Sequence, residues 1–370
     1  MAAAKWFVKL FNIRAEESRP VFYLMIFSFF VGLSMTFYFA ASNAIFLKHF
    51  ESRMISVSYI ASGVIVWAAW LLLSRLDRHL SPGWQLIVKF LFVFVTVTAI
   101  STGVWLYDHS WLVFIMFTWV RILVYVTVVT FWGLAGKLFN IRQGKRIFAL
   151  LGIGEVISII IGYFSVPLLL QFLKASDLLF LSSGSLLVCL VLVFVILKAF
   201  RTELSGSAPS PPGAHSKENA DLSYWKLVKK PYFLFISLMA LLPIFGYLFV
   251  DFLFLAQTKV EFANDTETIA GFFGIFLGFV AVIELVFKLV SGRFLNKYGL
   301  KPGLLSLPVV LFAGMLMAAV MASFYGTVGL FFAFISMVRL FERSVRSAVY
   351  EPAFQLLYQP VPAGHRLIFQ

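Results

Sequence analysis

Residues 74–83 read SRLDRHLSPG, and residues 292–303 read GRFLNKYGLKPG. Each stretch follows a long apolar run, and each opens the next run with a Pro-Gly step, Pro82 and Gly83 in one and Pro302 and Gly303 in the other. Arg75 and Arg293 stand 218 positions apart, whereas the Pro-Gly steps stand 220 apart, so the second copy carries two extra residues. A second pair of stretches keeps the same spacing. WVRILVYVTVVTFWGLAGKLFN (119–140) aligns with MVRLFERSVRSAVYEPAFQLLY (337–358), which puts Arg121 on Arg339, again 218 apart. Each copy then runs into a basic turn, Gly144-Lys145-Arg146 and Gly364-His365-Arg366. A shared offset at separate places marks an internal repeat, and the chain reads as two similar halves.

Composition says what medium those halves occupy. The 370 residues are 61% hydrophobic and only 13% charged, against about 25% charged in soluble domains. Water could not solvate so apolar a surface, whereas a bilayer requires one. Ten long apolar segments are expected to span, at about 20–47, 53–74, 84–107, 110–139, 146–173, 177–200, 231–258, 267–294, 302–323 and 326–358. The fourth and tenth exceed what a bilayer needs and are expected to tilt or project. Inside loops would hold Arg75, Arg78, Arg142, Lys145, Arg146, Lys229, Lys230 and Arg293 among others; outside loops would hold only Lys48, Arg53, Lys174 and Lys259. That asymmetry puts the N-terminus in the cytoplasm. The net charge of +13 is therefore topological, and no nucleic-acid partner is expected. The lone Cys189 cannot form an intrachain disulfide. No metal-ligand spacing, phosphate loop or nucleophile triad is present, so neither cofactor nor enzyme is expected.

The domain plan follows. Residues 1–19 read as a cytoplasmic amphipathic segment, 20–200 as a first six-helix half, 201–230 as a cytoplasmic linker rich in Ser, Pro and Gly, and 231–370 as a second half with four helices. The repeat breaks off at QPVPAGHRLIFQ (359–370), which leads us to expect a chain cut short after its tenth membrane helix.

Ionisable groups inside apolar segments are the candidate functional residues, because each is costly to insert. Segment 10 carries Arg339, Glu342, Arg343 and Arg346. The three arginines, at i, i+4 and i+7, read as one stripe, and Glu342 can pair with Arg339 or Arg346. Arg121 is their counterpart in the first half. Guanidinium groups grip phosphate or carboxylate through paired hydrogen bonds, so these four arginines read as a cationic site for an anionic substrate; a salt-bridge brace between helices is the competing reading. Glu284 and Lys288, at i and i+4, read as a local pair or a gate. Asp251 and Glu155 would partner a cavity cation or carry a proton, with close packing at Gly152 and Gly154 a second reading for Glu155. Lys137 reads as a snorkelling lysine near the end of segment 4.

Two resemblances sharpen this. Asp77-Arg78 in one loop and Gly292, Lys297 and Gly299 in the other resemble the G-x-x-x-D-R/K-x-G loop of the major facilitator families. That implies an all-α polytopic membrane protein, a two-half helical bundle with its site between the halves and alternating access by rocking. FWGLAGKLFNIRQGKRIFALLGIGE (131–155), GYLFVDFLFLAQTKVEF (246–262) and Lys297-Tyr298-Gly299 resemble the ATP/ADP antiporters of plastids and intracellular bacteria. The family's acidic position on segment 7 matches Asp251. Its charged pair near the end of segment 1 is replaced by Ser42-Asn43, and its glutamate on segment 4 falls near Val120 and Arg121. A divergent bacterial branch is implied, in the inner membrane with lipid around it, carrying ATP, ADP or another nucleotide. The alternatives are a carrier of another organic anion or phosphate ester, and a non-transporting scaffold or sensor.

Overall fold

The computed structural model describes residues 17–77, 80–107, 109–139, 141–200, 231–262, 265–325 and 329–356. Those residues form α1 Ser18–His49, α2 Arg53–Asp77, α3 Pro82–Leu106, α4 Ser110–Leu138, α5 Ile141–Leu169, α6 Asp177–Ala199, α7 Pro231–Glu261, α8 Thr266–Tyr298, α9 Leu300–Tyr325 and α10 Leu330–Val345. A π-helical turn, Arg346–Tyr350, joins α10 to the short α11, Glu351–Leu356. The all-helical membrane architecture is therefore as expected. The amphipathic segment up to residue 16, the linker at 201–230 and the basic turn at 364–366 lie outside the described residues.

Among the described residues, eight helices are long and apolar enough to cross a membrane: α1, α2, α3, α4, α6, α8, α9 and the Pro243–Glu261 part of α7. Two of the ten expected segments are not among these eight. In α5 the described apolar stretch is Gly154–Leu169. In the tenth, five charges from Arg339 to Glu351 interrupt the apolar run, and the helix changes pitch at Arg346. Pro352 explains the change of pitch. Without an N–H it cannot close the bond to the carbonyl four residues earlier, and a π turn ahead of it redistributes the ladder. The Glu351 N–H accordingly reaches back to the Arg346 carbonyl.

The chain packs as two compact units. Among the described residues one unit comprises α1–α6 with α8 up to Gly278; the other comprises α7, α8 from Phe279, and α9–α11.

In the first unit α1 packs against α4, α5 and α6. Its small residues let backbones approach: a Cβ placed on Gly32 would lie 1.9 Å from Ser158 Oγ and 3.0 Å from the Glu155 carbonyl oxygen. On the facing helix, a Cβ on Gly154 would lie 2.5 Å from Ser28 Oγ and 3.0 Å from the Met25 carbonyl oxygen. Close helix contact at small residues is how bilayer helices associate, since the apolar effect is spent on insertion. Hydroxyls add polar links. Ser34 and Ser182 Oγ atoms are 2.9 Å apart, and Ser182 also bonds the Ser34 carbonyl. Aromatic rings fill the wider gaps, with Phe46 stacked on Phe117 and Phe27 on Phe131. Further along, Gly274 of α8 admits the Tyr163 carbonyl of α5, which would sit 2.7 Å from a Cβ there.

In the second unit α10 packs on α7 and α9. Val250, Leu304, Leu307, Leu311, Val338, Val345, Tyr350 and Ala353 form its core. Gly246 and Gly314 allow the approach, since a Cβ on either would meet Leu311 or Val338 within 3 Å.

Candidate functional site

The charges expected to matter in the second half are brought together by α7, α8 and α10. On α7, Tyr247, Asp251 and Phe254 are spaced i, i+4 and i+7 and so share a face. Phe254 is buried there, and Asp251 is carried inward with it. On α10, Arg339 and Glu342 are also buried. Arg339 Nη2 lies 2.5 Å from Asp251 Oδ1, and its Nη1 donates to Glu342 Oε2 at 3.1 Å. Glu342 reaches the other way as well: Arg346 Nε lies 3.0 Å from its Oε1. That contact is an ion pair without hydrogen-bond alignment, because among the described residues neither atom has a hydrogen-bond partner. Glu342 thus bridges two arginines. Both guanidinium groups also face the ring of Tyr247, with Arg339 Cζ 4.9 Å and Arg346 Cζ 4.3 Å from its centroid.

Arg343 belongs to a separate group. Its Nε lies 3.6 Å from Glu284 Oε2 on α8, while Lys288 Nζ lies 2.7 Å from Glu284 Oε1 and Ser347 Oγ donates to that same oxygen at 2.6 Å. The reading of Arg339, Arg343 and Arg346 as one stripe needs this refinement. At about 100° per residue, Arg343 and Arg346 diverge by roughly 60° around the helix, one on either side of Arg339. One leans toward α8, the other toward α7.

In the first unit, Arg121 is half-buried on α4 with its Cζ 5.9 Å from the centroid of Tyr59. Glu155 is half-buried on α5 beside the Gly154 packing contact. Lys137 lies among side chains that are not described. Ser42 and Asn43 are buried, and both donate to the Phe39 carbonyl, at 3.3 and 2.7 Å. They satisfy themselves within their own helix and place no charge where the antiporters carry a pair. Among the described residues no group of His, Cys, Asp and Glu is arranged to hold a metal.

Tyr247 and Ser347 were not among the candidates read from sequence. Tyr247 could have been found, since it stands one helical turn before Asp251 in GYLFVDF. Ser347 carries no such mark.

Arginines clasped by carboxylates, set in a bundle of apolar helices built from two halves, define a polytopic membrane protein of the major facilitator-like fold. Solved structures agree on that fold. The nucleoside transporter NupG, in a variant form, aligns over 94% of this chain and 87% of its own with a TM-score of 0.58 and 16% identity. Another NupG structure aligns over 94% and 85% with a TM-score of 0.52 and 14% identity. No family model matches the chain. The ADP,ATP carrier protein 1 of Chlamydia pneumoniae is 23% identical over 262 residues, covering 62% of this chain and 50% of the carrier. The resemblance to ATP/ADP antiporters read from the sequence is borne out by that similarity, at a divergent level. The chain spans about half the length of that carrier. The proteins it resembles are transporters, in keeping with the expectation that it is not an enzyme.

Proposed function

We propose that this chain is the transport core of a secondary transporter of anionic nucleotides, of the ATP/ADP antiporter type. Its cationic site would be formed by Arg339 and Arg346, with Arg343 close by and Arg121 as the first-half counterpart. The observation that carries this reading is the pair of guanidinium groups, Arg339 buried and Arg346 partly exposed, bridged by Glu342, with Asp251 anchoring Arg339. Removing charge from water is costly unless each charge is matched, and here every match is a carboxylate. An arriving phosphate oxyanion offers the same two-oxygen geometry with more charge. It would take over the guanidinium groups as the carboxylates withdraw, so empty and loaded states are both neutralised. The Glu284–Lys288–Arg343 group would act beside it as a gate that exchanges partners. The basic loops support a cytoplasmic N-terminus and, for a bacterial protein, the inner membrane.

A second reading is a carrier of another organic anion or phosphate ester. It is favoured by Ser42 and Asn43, whose hydrogen bonds to Phe39 leave α1 without the antiporters' charged pair. Uptake of labelled ATP into vesicles preloaded with ADP, AMP or phosphate separates the two. Uptake driven by ADP alone supports nucleotide exchange. Uptake of labelled phosphate or AMP in place of ATP supports the second reading, and no ATP uptake in vesicles containing folded protein overturns the first.

A further inference from the structure

Glu342 has no side-chain exposure, Arg339 almost none, and Arg346 keeps 29% of its side chain accessible. The group is therefore closed around the carboxylate and open on the Arg346 side. It is also incompletely bonded: among the described residues the Nε atoms of both Arg339 and Arg346, and Oε1 of Glu342, have no hydrogen-bond partner. Two guanidinium groups carry ten N–H donors between them, and a planar carboxylate with two oxygens cannot use those that point past it. A tetrahedral oxyanion could. The two arginines share a further partner that carries no formal charge, the ring of Tyr247, with both guanidinium carbons within 5 Å of its centroid. Like-charged groups gathered on one ring need a counter-charge, yet the ring attracts both whether or not a carboxylate is present.

We infer that Glu342 is an internal occupant of the anion site, displaced when a phosphate-type oxyanion binds, and that Tyr247 is the positioning residue that keeps Arg339 and Arg346 together through the exchange. This rests on the reading of the arginines as a substrate site and adds which group leaves and which stays. The displaced carboxylate competes with the ligand, so neutralising it strengthens ligand binding. Losing the ring lets the two cations part and weakens it.

The test is the pyrophosphate concentration that gives half-maximal thermal stabilisation of the purified chain in detergent, for wild type, Glu342→Gln, Tyr247→Phe and Tyr247→Leu. A ligand that binds only the folded state raises its stability. Glu342→Gln is expected to need roughly tenfold less pyrophosphate, the loss of one charge-assisted competitor. Tyr247→Phe, which keeps the ring, is expected within about threefold of wild type, and Tyr247→Leu to need roughly tenfold more. Wild type stabilised but Glu342→Gln no tighter overturns this inference and leaves the anion site standing. Equal affinities for Tyr247→Phe and Tyr247→Leu overturn the role of the ring, and that comparison decides by itself should Glu342→Gln fail to fold. A folded wild type that pyrophosphate does not stabilise overturns the anion site and the inference with it.

Discussion

Tyr350 donates its phenolic hydroxyl to the carbonyl oxygen of Met239, the carbonyl that Pro243 leaves without its helical partner. The relationship joins two breaks in regular helix. In α7, Pro243 has no N–H to offer the residue four positions back. In the segment after α10, the π turn ahead of Pro352 carries Tyr350, whose ring stacks on Phe354. A carbonyl that would otherwise be orphaned is satisfied by a neighbouring helix, and the proline site in one helix is fastened to the pitch change in another.

This coupling has a thermodynamic signature. Tyr350→Phe is expected to lower stability by about 1–2 kcal/mol, the cost of leaving that carbonyl unsatisfied. In a Pro243→Ala background the new N–H can bond Met239, and the same substitution is expected to cost much less. A double-mutant cycle on thermal or denaturant unfolding measures the difference. Additive effects would show that the two breaks are independent.

The contact between α1 and α5 yields a sharper contrast. Gly32→Ala drives a methyl against the Glu155 carbonyl and Ser158, and is expected to destabilise by about 1–3 kcal/mol. Gly133 and Gly136 of α4 face open space. Alanine at either is expected to be neutral, or stabilising by up to about 1 kcal/mol through helix propensity. Melting temperatures of the three variants, compared side by side, check the packing directly.

Glu284 is the hub of its group, and its partners are unequal. Lys288 is the more exposed of its two cationic partners, with 39% of its side chain accessible, so Lys288→Ala is expected to cost less than about 1 kcal/mol. Glu284→Ala removes the shared acceptor of Arg343, Lys288 and Ser347. It is expected to cost more than Lys288→Ala, about 1–3 kcal/mol, because it removes the carboxylate that both cations and the hydroxyl share. Equal melting temperatures for the two variants would contradict the hub.

Much of this arrangement was legible in the sequence, and the reasons differ by feature. The helices follow from apolar length, and the two-half plan from the shared offset between Arg121 and Arg339. The partners of Glu342 were legible because i, i+3 and i, i+4 neighbours on a helix meet. What crosses between helices was not. Nothing local ties Asp251 to Arg339, Glu284 to Arg343, or Tyr350 to Met239; those pairings arise from packing of α7, α8 and α10. The pitch change at Arg346 was readable in principle from Pro352, but the alignment with the first half, whose fourth helix has no proline at that place, drew attention to a continuous helix instead. Tyr247 was hidden for another reason: a tyrosine in a membrane segment is common, and only its position between two arginines gives it a role.

The central claim is that Arg339 and Arg346 bind an anion and do not merely brace the bundle. The most direct measurement is thermal stabilisation of the purified protein by ATP, ADP, AMP, phosphate and simple dicarboxylates, in wild type and in Arg346→Ala. Arg346 is chosen because its partial exposure lets the variant fold. We expect a saturable, selective rise with ATP or ADP that is lost in Arg346→Ala. A flat response in folded wild-type protein, or an undiminished rise in Arg346→Ala, would contradict the claim.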